Sequence, residues 1–178
     1  MYDPMALVTD SALGITAWIL GARLWRVHRM WALAFLFTGI ASLCGGVFHG
    51  YGDRWLLLWK ATTFAVGLAS FFLLAGTDRR LQAVAVIKLI VYLSWMIGHN
   101  GFAFVIADYG LTLLLVAIFH PAKKWVLASI GVSIVGAIVQ AAQLSIDARW
   151  LDYNDLYHLI QMIALWMLYR AATMSRHA

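Results

Sequence analysis

The sequence is poor in charge, cysteine and proline. Only 12% of its 178 residues are Asp, Glu, Lys or Arg, about half the share found in soluble globular domains. That shortage, with 63% hydrophobic residues and a mean hydropathy of +0.82, excludes an ordinary water-soluble domain. It also argues against a nucleic-acid partner, because the net charge of +5 is small and its basic residues are scattered. The single cysteine, Cys44, excludes an intramolecular disulfide framework. Only two prolines occur, Pro4 and Pro121. Neither interrupts an apolar run, which weighs against the paired broken helices of secondary transporters.

What remains is long apolar runs. A membrane span takes roughly 20 apolar residues, so a chain of 178 residues accommodates seven spans with short links and no separate soluble domain. The runs fall at about 5–24, 30–50, 54–76, 81–98, 101–119, 124–145 and 153–173. Turn-forming breaks separate them, among them Gly50-Tyr51-Gly52-Asp53, Gly98-His99-Asn100-Gly101 and His120-Pro121. The expected fold is an all-α, polytopic seven-transmembrane bundle forming one domain over 1–178. Met1-Tyr2-Asp3 lacks the basic start of a cleavable signal peptide, so the first run is expected to be retained.

Cytoplasmic loops carry the excess of Lys and Arg. Arg23, Arg26, Arg29, Arg79, Arg80, Lys123, Lys124, Arg170 and Arg176 fall on one side of the seven spans, and only Arg54 and Arg149 on the other. Asp3, Asp10, Asp53, Asp147, Asp152 and Asp155 lie on or near that second side. The asymmetry predicts an outside N-terminus, a cytoplasmic C-terminus, and a plasma or bacterial inner membrane. Trp25, Trp31, Trp55, Trp59, Trp125 and Trp150 lie near span ends, where indoles anchor at headgroups.

Ionisable groups inside spans suggest function. Small and polar residues recur at helical spacing: Asp10, Gly14, Ala17 and Gly21 in the first run; Thr38, Ser42, Gly45 and His49 in the second; Asp53, Lys60, Thr63, Gly67 and Ser70 in the third. Ser129, Ser133, Gly136, Gln140 and Gln143 repeat the pattern in the sixth, and Asn154, His158 and Gln161 in the seventh, beside Asp155. Most weakly polar positions are accounted for by close helix packing. The ionisable ones, with His99 and Asp108, gather toward the outer side and predict an outward-facing polar cavity. Lys88 is the exception, about 10 Å from the inner end of its span, and is expected to snorkel to the cytoplasmic interface.

Seven spans with His49 ending the second, a polar residue early in the third and the i, i+4 pair Asn154 and His158 opening the seventh resemble the CREST superfamily. That group includes alkaline ceramidases and the progestin and adipoQ receptors. The resemblance implies zinc held by a Ser-x3-His motif, an aspartate and a His-x3-His motif, and hydrolysis of a lipid amide. His49 and His158 match two of its histidines; Gly45, Lys60 and Asn154 stand at the serine, aspartate and remaining histidine positions.

Two accounts of the cluster follow. In one, His49 and His158 hold the metal with a further ligand from His99, Asp53, Asp108 or Asp155. In the other, Lys60 supplies the positive charge, pairs with Asp108 or Asp53, and no metal is needed. The expected catalytic residues are His49, Lys60 and Asp108, and the substrate-binding residues are Asn154, His158, Gln161 and Ser42. The expected activity is hydrolysis of a lipid or amphipathic amide or ester, with membrane lipid as partner. The alternative is a non-catalytic protein that binds a lipid or small molecule in the same cavity.

Overall fold

In the computed structural model the described residues are 4–51, 55–147 and 150–174. Asp3, Asp53, Arg54, Arg149 and Arg176, used in the charge argument above, lie outside them, so the proposed ligand and pairing roles of Asp53 do as well. The described chain is helical. It comprises α1 (Pro4–Leu24), α2 (Arg29–Gly50), α3 (Leu56–Ala75), α4 (Gln82–Gly98), α5 (Phe102–Phe119), α6 (Lys123–Ala141) and α7 (Tyr153–Met174), with a short 3-10 turn at Arg79–Leu81.

Among the described residues, six helical segments are long and apolar enough to cross a membrane: Met5–Leu24, Arg29–Gly50, Leu56–Ala75, Arg79–Gly98, Phe102–Phe119 and Lys123–Ala141. The seventh helix has the length, 22 residues, but carries Asn154, Asp155, His158, Gln161 and Arg170.

Neighbouring helices form a closed ring: α1 lies beside α2, α2 beside α3, α3 beside α5, α5 beside α6, α6 beside α7, and α7 returns to α1. Helix α4 stands outside this ring, packed chiefly on α3. Its outward face presents Val84, Ile87, Val91 and Ile97, all exposed. The bundle therefore has two ends. One, the N end, holds the starts of α1, α3, α5 and α7; the other, the C end, holds their last turns.

The two ends differ in chemistry. The main apolar core lies toward the C end, around Leu24, Trp31, Phe35, Leu73, Leu74 and Val116. Trp31 is fully buried there instead of anchoring at an interface, its ring 4.8 Å from that of His120. Trp25, Trp55 and Trp150 are exposed, as interfacial indoles would be. Buried polar residues Thr9, Asp10, Asp155 and His158 lie at the N end.

Helix α6 stops at Ala141, short of the expected 145. Gln143 adopts a left-handed backbone with φ 52°. Its N–H donates to Gln140 O at 3.3 Å, and that of Leu144 to Val139 O at 3.0 Å. This is the hydrogen-bond pattern that closes a helix C-terminus, usually with glycine at the left-handed position. Helix α7 begins on a capping box: Asp152 Oδ1 accepts from the N–H groups of Asn154 and Asp155 at 2.8 and 3.0 Å, while Asp155 Oδ2 accepts from Asp152 N–H at 3.2 Å.

Candidate functional site

The N end places a tight polar cluster between α1 and α7. His158 Nε2 lies 3.3 Å from Asp10 Oδ1, and His158 Nδ1 lies 3.2 Å from Thr9 Oγ1. The Thr9 hydroxyl also donates to Asp155 Oδ1 at 2.9 Å. Asp155 therefore uses one oxygen to close the capping box of its own helix and the other to hold α1.

Glycine on α2 allows the close approach. A Cβ at Gly46 would lie 2.7 Å from Asp10 Cβ, so a larger residue would push α1 and its carboxylate away. His49 ends the same helix, near enough to His158 for the two imidazoles to interact electrostatically. Its ring lies 6.0 Å from that of Trp59, nearly edge-on. Ser42 is buried two turns earlier on α2.

Asn154 and Gln161 share α7 with His158 but bond toward α6. Asn154 Oδ1 accepts from Gln140 Nε2 at 3.4 Å, and Gln161 Oε1 accepts from Ser133 Oγ at 3.3 Å. The two expected substrate-binding amides thus tie α7 to α6, on a different side from the carboxylates.

Lys60 and Asp108 do not meet. The Lys60 ammonium donates to the carbonyls of Met96, Ile97 and His99, the latter two at 3.0 Å each. It closes the C-terminal turn of α4, where orphan carbonyls and the negative end of the helix dipole attract a cation. Trp59 Nε1 adds a bond to Asn100 O at 3.0 Å. His99 stacks flat on Trp95, ring centroids 4.0 Å apart.

Lys88, expected to snorkel, is paired with Asp108 across α4 and α5. Its ammonium also donates to Ser70 Oγ at 2.8 Å, and Ser70 shares a 2.6 Å hydrogen bond with Thr112. The carboxylate on α5 offers Lys88 an opposite charge within the bundle, which a path to the interface would not. Asp108 therefore belongs to a second polar cluster, among α3, α4 and α5.

The resemblance implied three protein ligands to a metal. Among the described residues no three His, Cys, Asp or Glu side chains are grouped to hold one. Both ring nitrogens of His158 face protein oxygens. The chemistry available at the N end is thus that of an imidazole held between a carboxylate and a hydroxyl.

One residue of this cluster escaped the helical-stripe reasoning. Thr9 precedes Asp10 and reads as an ordinary helix hydroxyl. The capping role of Asp155 was signalled by the spacing of Asp152 and Asp155 just before an amphipathic run.

Among the described residues these features define an all-helical fold with six helices apt to cross a membrane and a buried carboxylate–imidazole pair at one end. The chain belongs to the family of unknown function DUF6962, whose family model matches residues 5–177. No curated protein and no solved structure matches it.

Proposed function

We propose that this is an integral membrane protein of seven spans, with an outside N-terminus and a cytoplasmic C-terminus, that hydrolyses a lipid or amphipathic ester or amide. The observation carrying the activity is the buried pair of Asp10 and His158 beside Thr9.

The faces of α7 support a seventh span. Its polar residues Asp155 and His158 are buried, whereas Leu159, Ile163 and Trp166 form an exposed apolar stripe at helical spacing. A helix with that distribution suits lipid outside and protein inside. The basic residues near the C end, Arg23, Arg26, Arg79, Arg80, Lys123 and Lys124, support a cytoplasmic C end by the positive-inside rule.

In the proposed chemistry Asp10 holds the proton on His158 Nε2 and so leaves Nδ1 as the base. Because the Thr9 hydroxyl gives its proton to Asp155, Nδ1 keeps its lone pair for a water. The ring accepts a proton from that water as its oxygen attacks the acyl carbon, and returns it to the leaving alcohol or amine as the carbon–heteroatom bond breaks. His49 borders the reaction space from α2. This scheme uses protein groups alone.

A second reading is favoured by the saturation of the cluster: both nitrogens of His158 and both oxygens of Asp155 have protein partners. In that reading the N end binds an amphipathic molecule without turning it over. The test is hydrolysis of long-chain ester and N-acyl amide substrates by the purified protein in mild detergent. Turnover that falls by roughly a hundredfold or more in His158→Gln and in Asp10→Asn supports the hydrolase. Wild-type protein that binds these compounds without cleaving them supports the second reading, and turnover unchanged in His158→Gln overturns the first.

A further inference from the structure

At the other end of the bundle the last turns of α1, the turn that follows it and the first turns of α2 border a groove of about 560 Å³, with Trp18, Arg23, Trp25, Arg26 and Leu36 along its walls and rim and Gly21 and Ala22 between them. We infer that this groove is a binding site for an anionic phospholipid, with the phosphate on Arg23 and Arg26 and an acyl chain between Trp18 and Trp25. The inference rests on the membrane reading of the helices, not on chemistry at the N end.

The groove follows from spacing on α1. Trp18, Gly21 and Ala22 occupy i, i+3 and i+4, which puts them on one face of α1, and Trp25 follows in the turn just past its end at Leu24. The two indoles form walls, and the two small residues between them in sequence form the floor. Leu36, 38% exposed, faces the groove from α2.

One wall is fixed. Trp18 Nε1 donates to Leu36 O at 3.1 Å, and its indole lies over Gly39, where any Cβ would collide with the ring. Gly21 brings the helices together at the base, since a Cβ there would lie 3.0 Å from Phe35 Cβ. The depression is therefore built by the backbone and a fixed ring.

Charge selects the occupant. Arg23 and Arg26 are exposed at the rim, and guanidinium groups recognise phosphate oxygens by paired donors. A free anion would satisfy the rim and leave the apolar floor uncovered. A phosphodiester carrying an acyl chain covers both, and the exposed indoles of Trp18 and Trp25 suit the boundary between headgroup and hydrocarbon.

The test compares binding of phosphatidylglycerol, phosphatidylcholine of the same acyl chains, and inorganic phosphate to the purified full chain, by native mass spectrometry and thermal shift. Phosphatidylglycerol should bind at least about tenfold more tightly than phosphatidylcholine, and inorganic phosphate should not reproduce its thermal shift. The exposed pair Arg23→Gln/Arg26→Gln should lose that preference, whereas Lys123→Gln/Lys124→Gln, altering cations elsewhere at the same end, should keep it. Ala22→Trp, which fills the floor and leaves both guanidinium groups, should also weaken phosphatidylglycerol binding. Equal affinity for the two lipids, a thermal shift with phosphate matching that with lipid, or unaltered binding in Ala22→Trp would each overturn the inference. A melting curve without ligand confirms that each variant is folded.

Discussion

His158 on α7 and Asp10 on α1 meet at 3.3 Å, joining the first and last helices of the ring through two buried side chains. The hydroxyl of Thr9, one residue from Asp10, bonds both to His158 and to Asp155. The proposed base is therefore also part of the closure of the bundle, and its surroundings affect stability as well as activity.

Thr9→Val should expose that dependence. The substitution keeps the shape but removes one hydrogen bond to the buried carboxylate of Asp155. A loss of about 1–3 kcal/mol is expected, read as lower resistance to thermal unfolding in detergent.

The ion pair between Lys88 and Asp108 is predicted to be non-additive. Lys88→Met or Asp108→Leu alone strands the other charge within the bundle and should destabilise by about 3–5 kcal/mol. The double variant removes both charges and should recover most of that loss. A thermodynamic cycle from the four melting curves checks this, and additive losses would refute a direct coupling.

Gly67→Ala should loosen α4. A Cβ at that position would lie 2.5 Å from Tyr92 Cε1, and Tyr92 is held by the hydrogen bond from its hydroxyl to Thr63 O at 2.9 Å. The ring cannot move without breaking that bond, so about 1–3 kcal/mol should be lost. Hydrogen exchange should rise in α4 more than in α1 or α2.

His120 makes the C end sensitive to acid. Burial lowers its pKa from 6.5 to about 4, with His28 close by adding to the effect. Its Nδ1 accepts from Ala122 N–H at 3.1 Å, a bond available only when that nitrogen is unprotonated. Because the folded pKa is the lower one, the unfolded chain takes up the proton first. The contribution of His120 to stability should be complete above pH 6.5, fall progressively between 6.5 and 4, and then level off. His120→Gln should flatten this part of the pH profile.

Orientation is testable by labelling. In a Cys44→Ser background, a cysteine at exposed Ile146 should react with a membrane-impermeant maleimide on intact cells. One at Lys124 should react only after the membrane is opened. The reverse pattern would sink the proposed topology.

Much of this architecture is legible in apolar run length. The limits of α2 and α5 agree with the expected 30–50 and 101–119 to within one residue, because glycine, proline and charge interrupt the runs there. The end of α6 was not legible, since a left-handed Gln143 has no side-chain signature comparable with glycine. Helical spacing placed His49 and His158 at the same end. It could not show which faces of α7 turn toward α1 and α6, and so grouped Asn154 with His158 although they bond to different neighbours. The partners of Lys60 and Lys88 depend on how α3, α4 and α5 are arranged in space, which no single-helix pattern contains.

Sequence order adds a consequence for synthesis. Lys88 leaves the ribosome 20 residues ahead of Asp108, so α4 is complete before its counter-charge exists. Threading α4 alone into a bilayer would carry an unneutralised ammonium, a penalty of about 2.5–3.5 kcal/mol on insertion scales. Entry of α4 and α5 together as one helical hairpin avoids it. The ion pair thereby couples the order of translation to the way this part of the chain enters the membrane.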